Sequence, residues 1–133
     1  MRKALLFVLF LLLAPLRPPG HQTWPILVGR ATFYGLPVHL FAGNYTKGGD
    51  LFDPEAMAFA ITLRLWEEQH EVFANKDFWV CSYRRCIRAK CWDTGPDLEA
   101  EGIAIDLTPR AFTLLFGGLE QGVGSVRIYK EER

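Results

Sequence analysis

The chain has 133 residues, 50% of them hydrophobic, and a formal net charge of zero. That length holds one small domain, and Lys and Arg are spread along it without the basic stripe that nucleic-acid binding needs. The three cysteines, Cys81, Cys86 and Cys91, lack the paired Cys-x-x-Cys spacing of a zinc site, so neither a metal nor a cofactor is expected.

Arg2 and Lys3 precede an unbroken apolar run from Ala4 to Ala14, followed by Pro15, Pro18, Pro19 and Gly20. The run is too short to cross a bilayer of ~30 Å as a helix and has the charged start of a secretion signal. Residues 1–22 are therefore expected to be a signal peptide and short leader, cleaved somewhere between Ala14 and Thr23. An uncleaved leader is the alternative, and the only expected contact with a membrane. The compartment is then secreted, periplasmic or cell-envelope, where an oxidised cysteine pair is the better reading.

Residues 23–133 make the domain. Val28–Tyr34 is a β-rich run and the first expected strand, and 36–49 is loop with an apolar island at Leu40-Phe41. Asp53-Pro54-Glu55 has the pattern of a helix start, with Asp as N-cap and Pro at the first helical position. The next stretch reads two ways. Ala56–Glu68 is one amphipathic helix, or a turn leads into a strand at Ala58–Thr62 with a short helix at Leu63–Gln69.

Phe78–Tyr83 and Cys86–Trp92 read as two strands of a hairpin around Arg84-Arg85. Alternation puts Ile87, Ala89, Cys91 and Asp93 on one apolar face and Arg88 and Lys90 on the other, with Trp92 opposite Asp93. Cys81 and Cys86 lie across this hairpin, so a disulfide there closes a short loop and leaves Cys91 as a buried thiol; three reduced core cysteines are the alternative. Ile103–Leu107 is a further strand. Thr108-Pro109 caps a helix ending near Phe116, stopped by Gly117-Gly118, and Gly124–Tyr129 is the last strand. Short strands punctuated by Gly and Pro, with only small helices, make a compact and mainly β barrel.

Two carboxylates stand at strand ends: Asp93 in Asp93-Thr-Gly-Pro and Asp106 in Ile105-Asp106-Leu-Thr. A carboxyl held rigidly beside a Gly-Pro turn is what acid–base chemistry on a glycosidic bond requires. The plainer reading is that Asp93 caps its turn and Asp106 caps the helix after Thr108.

The motifs around these residues resemble the barrel domain of the rare lipoprotein A family and, more distantly, expansins and barwin-type proteins. Gly29-Arg-Ala-Thr-Phe-Tyr-Gly resembles the family's Gly-x-Ala-Ser-Tyr-Tyr-Gly, and Phe41-Ala-Gly followed by Thr46-Lys-Gly-Gly-Asp-Leu-Phe-Asp tracks Phe-His-Gly and Thr-Ala-x-Gly-Glu-x-Phe-Asp. Ala56-Met57 falls where the family has Ala-Met-Thr-Ala-Ala-His, while Asp93-Thr-Gly-Pro and Ile105-Asp106-Leu-Thr resemble Asp-Arg-Gly-Pro and Ile-Asp-Leu-Ser. The resemblance spans Val28 to Lys130 and implies a six-stranded double-psi β-barrel with short helices.

It also implies an exported, monomeric protein acting on peptidoglycan or another cell-wall polysaccharide. The implied activity is lytic transglycosylase, with Asp93 as acid/base, its pKa raised by its apolar face and by Asp106, and with Asp106, Thr32 and Tyr34 positioning the sugar. Thr32 and Tyr34 are also good strand formers that simply pack. One departure bears on catalysis: the family's histidine position is Ile61, and that of Phe-His-Gly is Ala42. His70 reaches the groove only if the long segment Leu63 to Lys76 folds back. The 133 residues hold no counterpart of the septal peptidoglycan-binding domain found in many such proteins. Two further functions therefore stand beside the enzyme. One is a non-catalytic polysaccharide-binding or wall-loosening module using Tyr34, Asp106 and aromatics such as Trp79 or Trp92; the other is a barwin-like interaction protein with a protein partner.

Overall fold

The computed structural model describes residues 24–95 and 98–131. The expected leader, residues 1–22, lies outside the described residues, as does Pro96 of the Asp93 motif. Six strands carry the fold: β1 (Leu27–Phe33), β2 (Ala58–Thr62), β3 (Asp77–Cys81), β4 (Cys86–Gly95), β5 (Ile105–Leu107) and β6 (Gly124–Lys130). β1 pairs in parallel with β5 and β2 with β4. Antiparallel pairings join β5 to β2, β4 to β3, β3 to β6 and β6 to β1. Every strand thus has two partners and the sheet closes, leaving no exposed edge. This is the mainly β, six-stranded double-psi barrel with short helices.

The barrel interior is filled from all sides. Phe59 and Ile61 of β2, Phe78 and Val80 of β3, Ala89 and Cys91 of β4, Ile105 and Leu107 of β5, and Val126 and Ile128 of β6 form one core. Burying each Phe, Ile, Leu or Val of this set contributes roughly 1.5–3 kcal/mol against exposure. Three helices add to it. α1 (Leu63–Glu68) is capped by Thr62, whose hydroxyl accepts from the Leu65 N–H at 3.2 Å, and it inserts Trp66; α2 (His70–Phe73) inserts Phe73. α3 (Pro109–Phe116) starts at the Thr108 cap, buries Ala111, Phe112 and Leu115, and ends at Gly117 with φ 82°, a left-handed cap that glycine adopts without steric cost.

Of the two readings of residues 56–69, the strand at Ala58–Thr62 followed by a short helix is the observed one. Asp53 starts a turn and not a helix: its Oδ1 accepts from Glu55 N at 2.9 Å, and the chain enters β2 a few residues later. All five residues of β2 are buried, and that two-sided burial outweighs the helical pattern of the sequence. The hairpin is formed as expected, with Cys81 opposite Cys86 and bonded to it, and Cys91 a buried free thiol.

The alternation expected along β4 fails at one place. Phe59 pairs with Cys91, but the next residue, Ala60, pairs with Asp93. Trp92 is therefore an extra residue, a β-bulge, and a bulge re-aims the side chains that follow it. Cys91 points into the core, whereas Trp92 packs outside it with Phe52 and Ala58. Asp93 is consequently displaced from the apolar face that Ala89 and Cys91 share, and it stands on the same outer side as Trp92.

Candidate functional site

A groove of about 560 Å³ opens on the outside of the barrel, lined on its floor by Thr32, Asp93 and Asp106 and on its walls by Tyr34, Phe41, Tyr45 and Glu101, among others. The register explains the floor. Asp93 of β4 pairs with Ala60 of β2, Ala60 with Asp106 of β5, and Asp106 with Thr32 of β1. Residues directly opposite on neighbouring strands share a face, so two carboxylates and a hydroxyl form one row across four strands. The bulge at Trp92 is what admits Asp93 to it.

The two carboxyls are held differently. Asp93 receives three donors: Lys47 N and Thr94 N reach Oδ1, each at 2.9 Å, and the Tyr34 hydroxyl reaches Oδ2 at 3.1 Å. The Tyr34 oxygen in turn accepts from Trp92 Nε1 at 2.9 Å. Burial, then the neighbouring Asp93 charge, pushes the Tyr34 hydroxyl well above the ordinary tyrosine range, so it keeps its proton and donates it to Asp93. Among the described residues Asp106 has one donor, the Thr32 hydroxyl at 2.8 Å on Oδ1. Burial raises its pKa to about 6, against the pull of the Thr32 hydrogen bond and with smaller contributions from Glu101 and Asp93. Asp106 is thus a carboxyl that carries a proton in part of its population near neutral pH. The carboxyl pushed up by its surroundings is Asp106.

Lobe 44–51 forms one wall and is tied to the bulge. Gly48 N donates to Trp92 O at 2.8 Å, Asn75 Nδ2 donates to Gly48 O at 3.1 Å, and Lys90 Nζ reaches Asp50 at 2.7 Å. A Cβ at Gly48 would crowd the Asn75 side-chain oxygen and lie 2.9 Å from the backbone oxygen of Trp92, so glycine suits this close approach. Beneath the lobe, Tyr34, Phe41, Phe52 and Trp92 form a continuous aromatic cluster with ring centroids 5.3 to 6.2 Å apart.

Of the residues singled out in the sequence, Asp93, Asp106, Thr32 and Tyr34 all come together in the groove. Thr32 and Tyr34 hold the two carboxyls and do not merely pack. Neither carboxylate caps α3; Thr108 does, accepting from Ala111 N. Trp92 is buried, and Trp79 packs beside the disulfide with Cys81, Cys86 and Tyr129, so neither lines the groove. The exposed aromatic of the groove is Tyr45, 72% accessible, which the sequence reading passed over along with Asn44 and Glu101. Tyr45 sits immediately before the Thr46-Lys-Gly-Gly loop, and that adjacency was its one signal. Ile61 is fully buried in the core, and the residue of β2 registered with Asp93 and Asp106 is Ala60, itself buried against Leu98 and Ile103. His70 meets Trp66 edge-on, with ring centroids 5.5 Å apart, and does not line the groove. Among the described residues no group of three or more His, Cys, Asp or Glu side chains is placed to hold a metal ion.

No protein-family model matches the chain, and no curated protein sequence matches it. Solved structures do. A Streptomyces papain inhibitor is similar over 77% of this chain and 91% of its own, at 22% identity and a TM-score of 0.58. An expansin from Clavibacter michiganensis is similar in two forms. Its aspartate-to-asparagine mutant in complex with cellohexaose gives a TM-score of 0.61 at 18% identity, and the apo form 0.60 at 19%, each over 79% of this chain. The chain spans half the length of those expansins. At these identities the likeness establishes a shared barrel fold, and function has to be argued from the groove.

Proposed function

We propose that this protein is an exported cell-wall module of the rare lipoprotein A and expansin type, which binds a polysaccharide strand in the groove between Tyr45 and Asp106. One observation carries the reading: two fixed carboxyls and an exposed aromatic ring line the same open trough on the outer face. A flat ring supplies apolar contact to a sugar face, and Asp93, Asp106, Thr32 and Asn44 supply acceptors and donors for hydroxyls. The structural likeness to an expansin solved with cellohexaose supports the same use of the fold. The disulfide Cys81–Cys86 supports an oxidising compartment, in keeping with residues 1–22 as a removable leader ahead of a 23–133 domain. Sedimentation of the purified domain with insoluble wall polysaccharide tests the reading: wild type is retained and Tyr45→Ala is released.

A second reading is lytic transglycosylase activity on peptidoglycan glycan strands, favoured by the raised pKa of Asp106. The proton on Asp106 would pass to the leaving glycosidic oxygen as its bond to C1 breaks. The carboxylate would then take the proton of the sugar's own 6-hydroxyl as that oxygen bonds to C1, giving a 1,6-anhydro end without water. A single carboxyl serves both transfers, and Asp93 would orient the strand through its Tyr34 and Lys47 contacts. Mass spectrometry of digested glycan strands tests this: anhydro-muramic ends that vanish in Asp106→Asn support cleavage, and intact strands with retained binding leave the module non-catalytic.

A further inference from the structure

We infer that the groove selects its glycan by charge, taking strands whose sugars carry free amino groups in preference to neutral or acidic ones. The inference rests on the groove being the glycan site. Its lining includes three carboxylates, Asp93, Asp106 and Glu101, and no lysine or arginine among the described residues. The nearby cations leave the groove carboxylates unpaired among the described residues. Arg64 pairs with Glu99 and Glu68, and Lys90 with Asp50. Arg30 reaches the backbone oxygen of Glu101 at 3.5 Å and not its carboxylate. Lys47 meets Asp93 through its backbone N–H, and its side chain does not line the groove.

The carboxylates keep acceptor capacity facing the trough. Among the described residues nothing donates to Oδ2 of Asp106, and the Glu101 carboxylate has no hydrogen bond or ion pair, whereas Asp93 is nearly satisfied by its three donors. An ammonium group on a bound sugar supplies the missing donors, meets the charge of Asp93 and Glu101, and favours the ionised form of Asp106. A uronic acid, or the lactyl carboxylate of a muramic sugar, adds a further negative charge to the same space. Tyr45 and Phe41 offer their rings to any pyranose face. Charge, and not stacking, is therefore where the groove discriminates.

Isothermal titration of the whole chain with hexamers of glucosamine, N-acetylglucosamine and galacturonate, and with cellohexaose, tests this near neutral pH and at about 20 mM salt. The glucosamine hexamer is expected to bind at least about tenfold more tightly than either neutral hexamer, with galacturonate weakest. The preference should shrink severalfold at about 200 mM salt and in Glu101→Gln, with Asp106→Asn as a second variant should the first fail to fold. Equal or tighter binding of the neutral or acidic hexamers overturns charge selection while leaving a glycan groove. Absence of binding by all four overturns both. A glucosamine preference that survives Glu101→Gln and Asp106→Asn undiminished places it outside this groove and overturns the proposal.

Discussion

Asp93 and Asp106 are registered against the same residue, Ala60 of β2, from its two neighbouring strands. A methyl group is all that stands between them in the row, so both carboxyls face one trough. Their difference in partners divides their roles: Asp93 is held by three donors, and Asp106 by one while burial keeps it near neutrality in pKa.

Stability should depend on pH through Asp106. Its folded pKa, about 6, lies above the 3.8 of an unhindered carboxyl, so the folded state holds a proton that the unfolded state has lost. The associated stability is complete below about pH 4, declines as pH rises, and is gone above about pH 6. Asp106→Asn removes the charge and its desolvation. Chemical denaturation should show the variant more stable than wild type by on the order of 2 kcal/mol above pH 7 and little changed near pH 4.

Tyr34→Phe deletes the oxygen that accepts from Trp92 Nε1 and donates to Asp93. A buried indole N–H is left without its acceptor, which costs about 1–3 kcal/mol. Denaturation should show that loss, and glycan affinity should fall with it because Asp93 is freed to rotate. An unchanged denaturation midpoint would remove Tyr34 from its anchoring role.

Tyr45→Ala separates binding from folding. The side chain is largely exposed, so stability should stay within about 0.5 kcal/mol of wild type. Loss of a stacked ring should weaken polysaccharide binding by about tenfold, some 1.4 kcal/mol. Titration and thermal melting of the same sample measure both.

The disulfide supports the hairpin tip and not the groove. Its loop has a sequence separation of 5, for which chain entropy gives about 2 kcal/mol. Cys81→Ala with Cys86→Ala should lower the melting temperature while leaving glycan affinity unchanged, since neither residue lines the trough.

Thr46 supplies a test of the lobe. Its hydroxyl is buried and has no hydrogen-bond partner among the described residues. Thr46→Val replaces it with a methyl group of the same shape and should stabilise the fold by about 1 kcal/mol, measured by denaturation.

The sequence was most legible where local chemistry decides. Thr108-Pro109 and Gly117 bracket α3, and the hairpin is marked by its two strands and cysteine spacing. The row of Thr32, Tyr34, Asp93 and Asp106 was reachable through motif resemblance. The bulge was not: whether Trp92 pairs or is skipped depends on β2, some thirty residues earlier in the chain, and period-two reasoning along one strand cannot register that. The same non-local cause sets the raised pKa of Asp106, because burial is set by the strands and loops packed over it. At Asp53 the helix-start pattern lost to the burial of β2 on both faces.

Backbone NMR of the labelled domain titrated with cellohexaose measures the central claim most directly. Shifts confined to Tyr45, Thr94, Gly95, Glu101 and Asp106 are predicted. Shifts centred instead on the hairpin tip at Tyr83 and Arg84, or no shifts with any wall oligosaccharide, would contradict a glycan site in the groove.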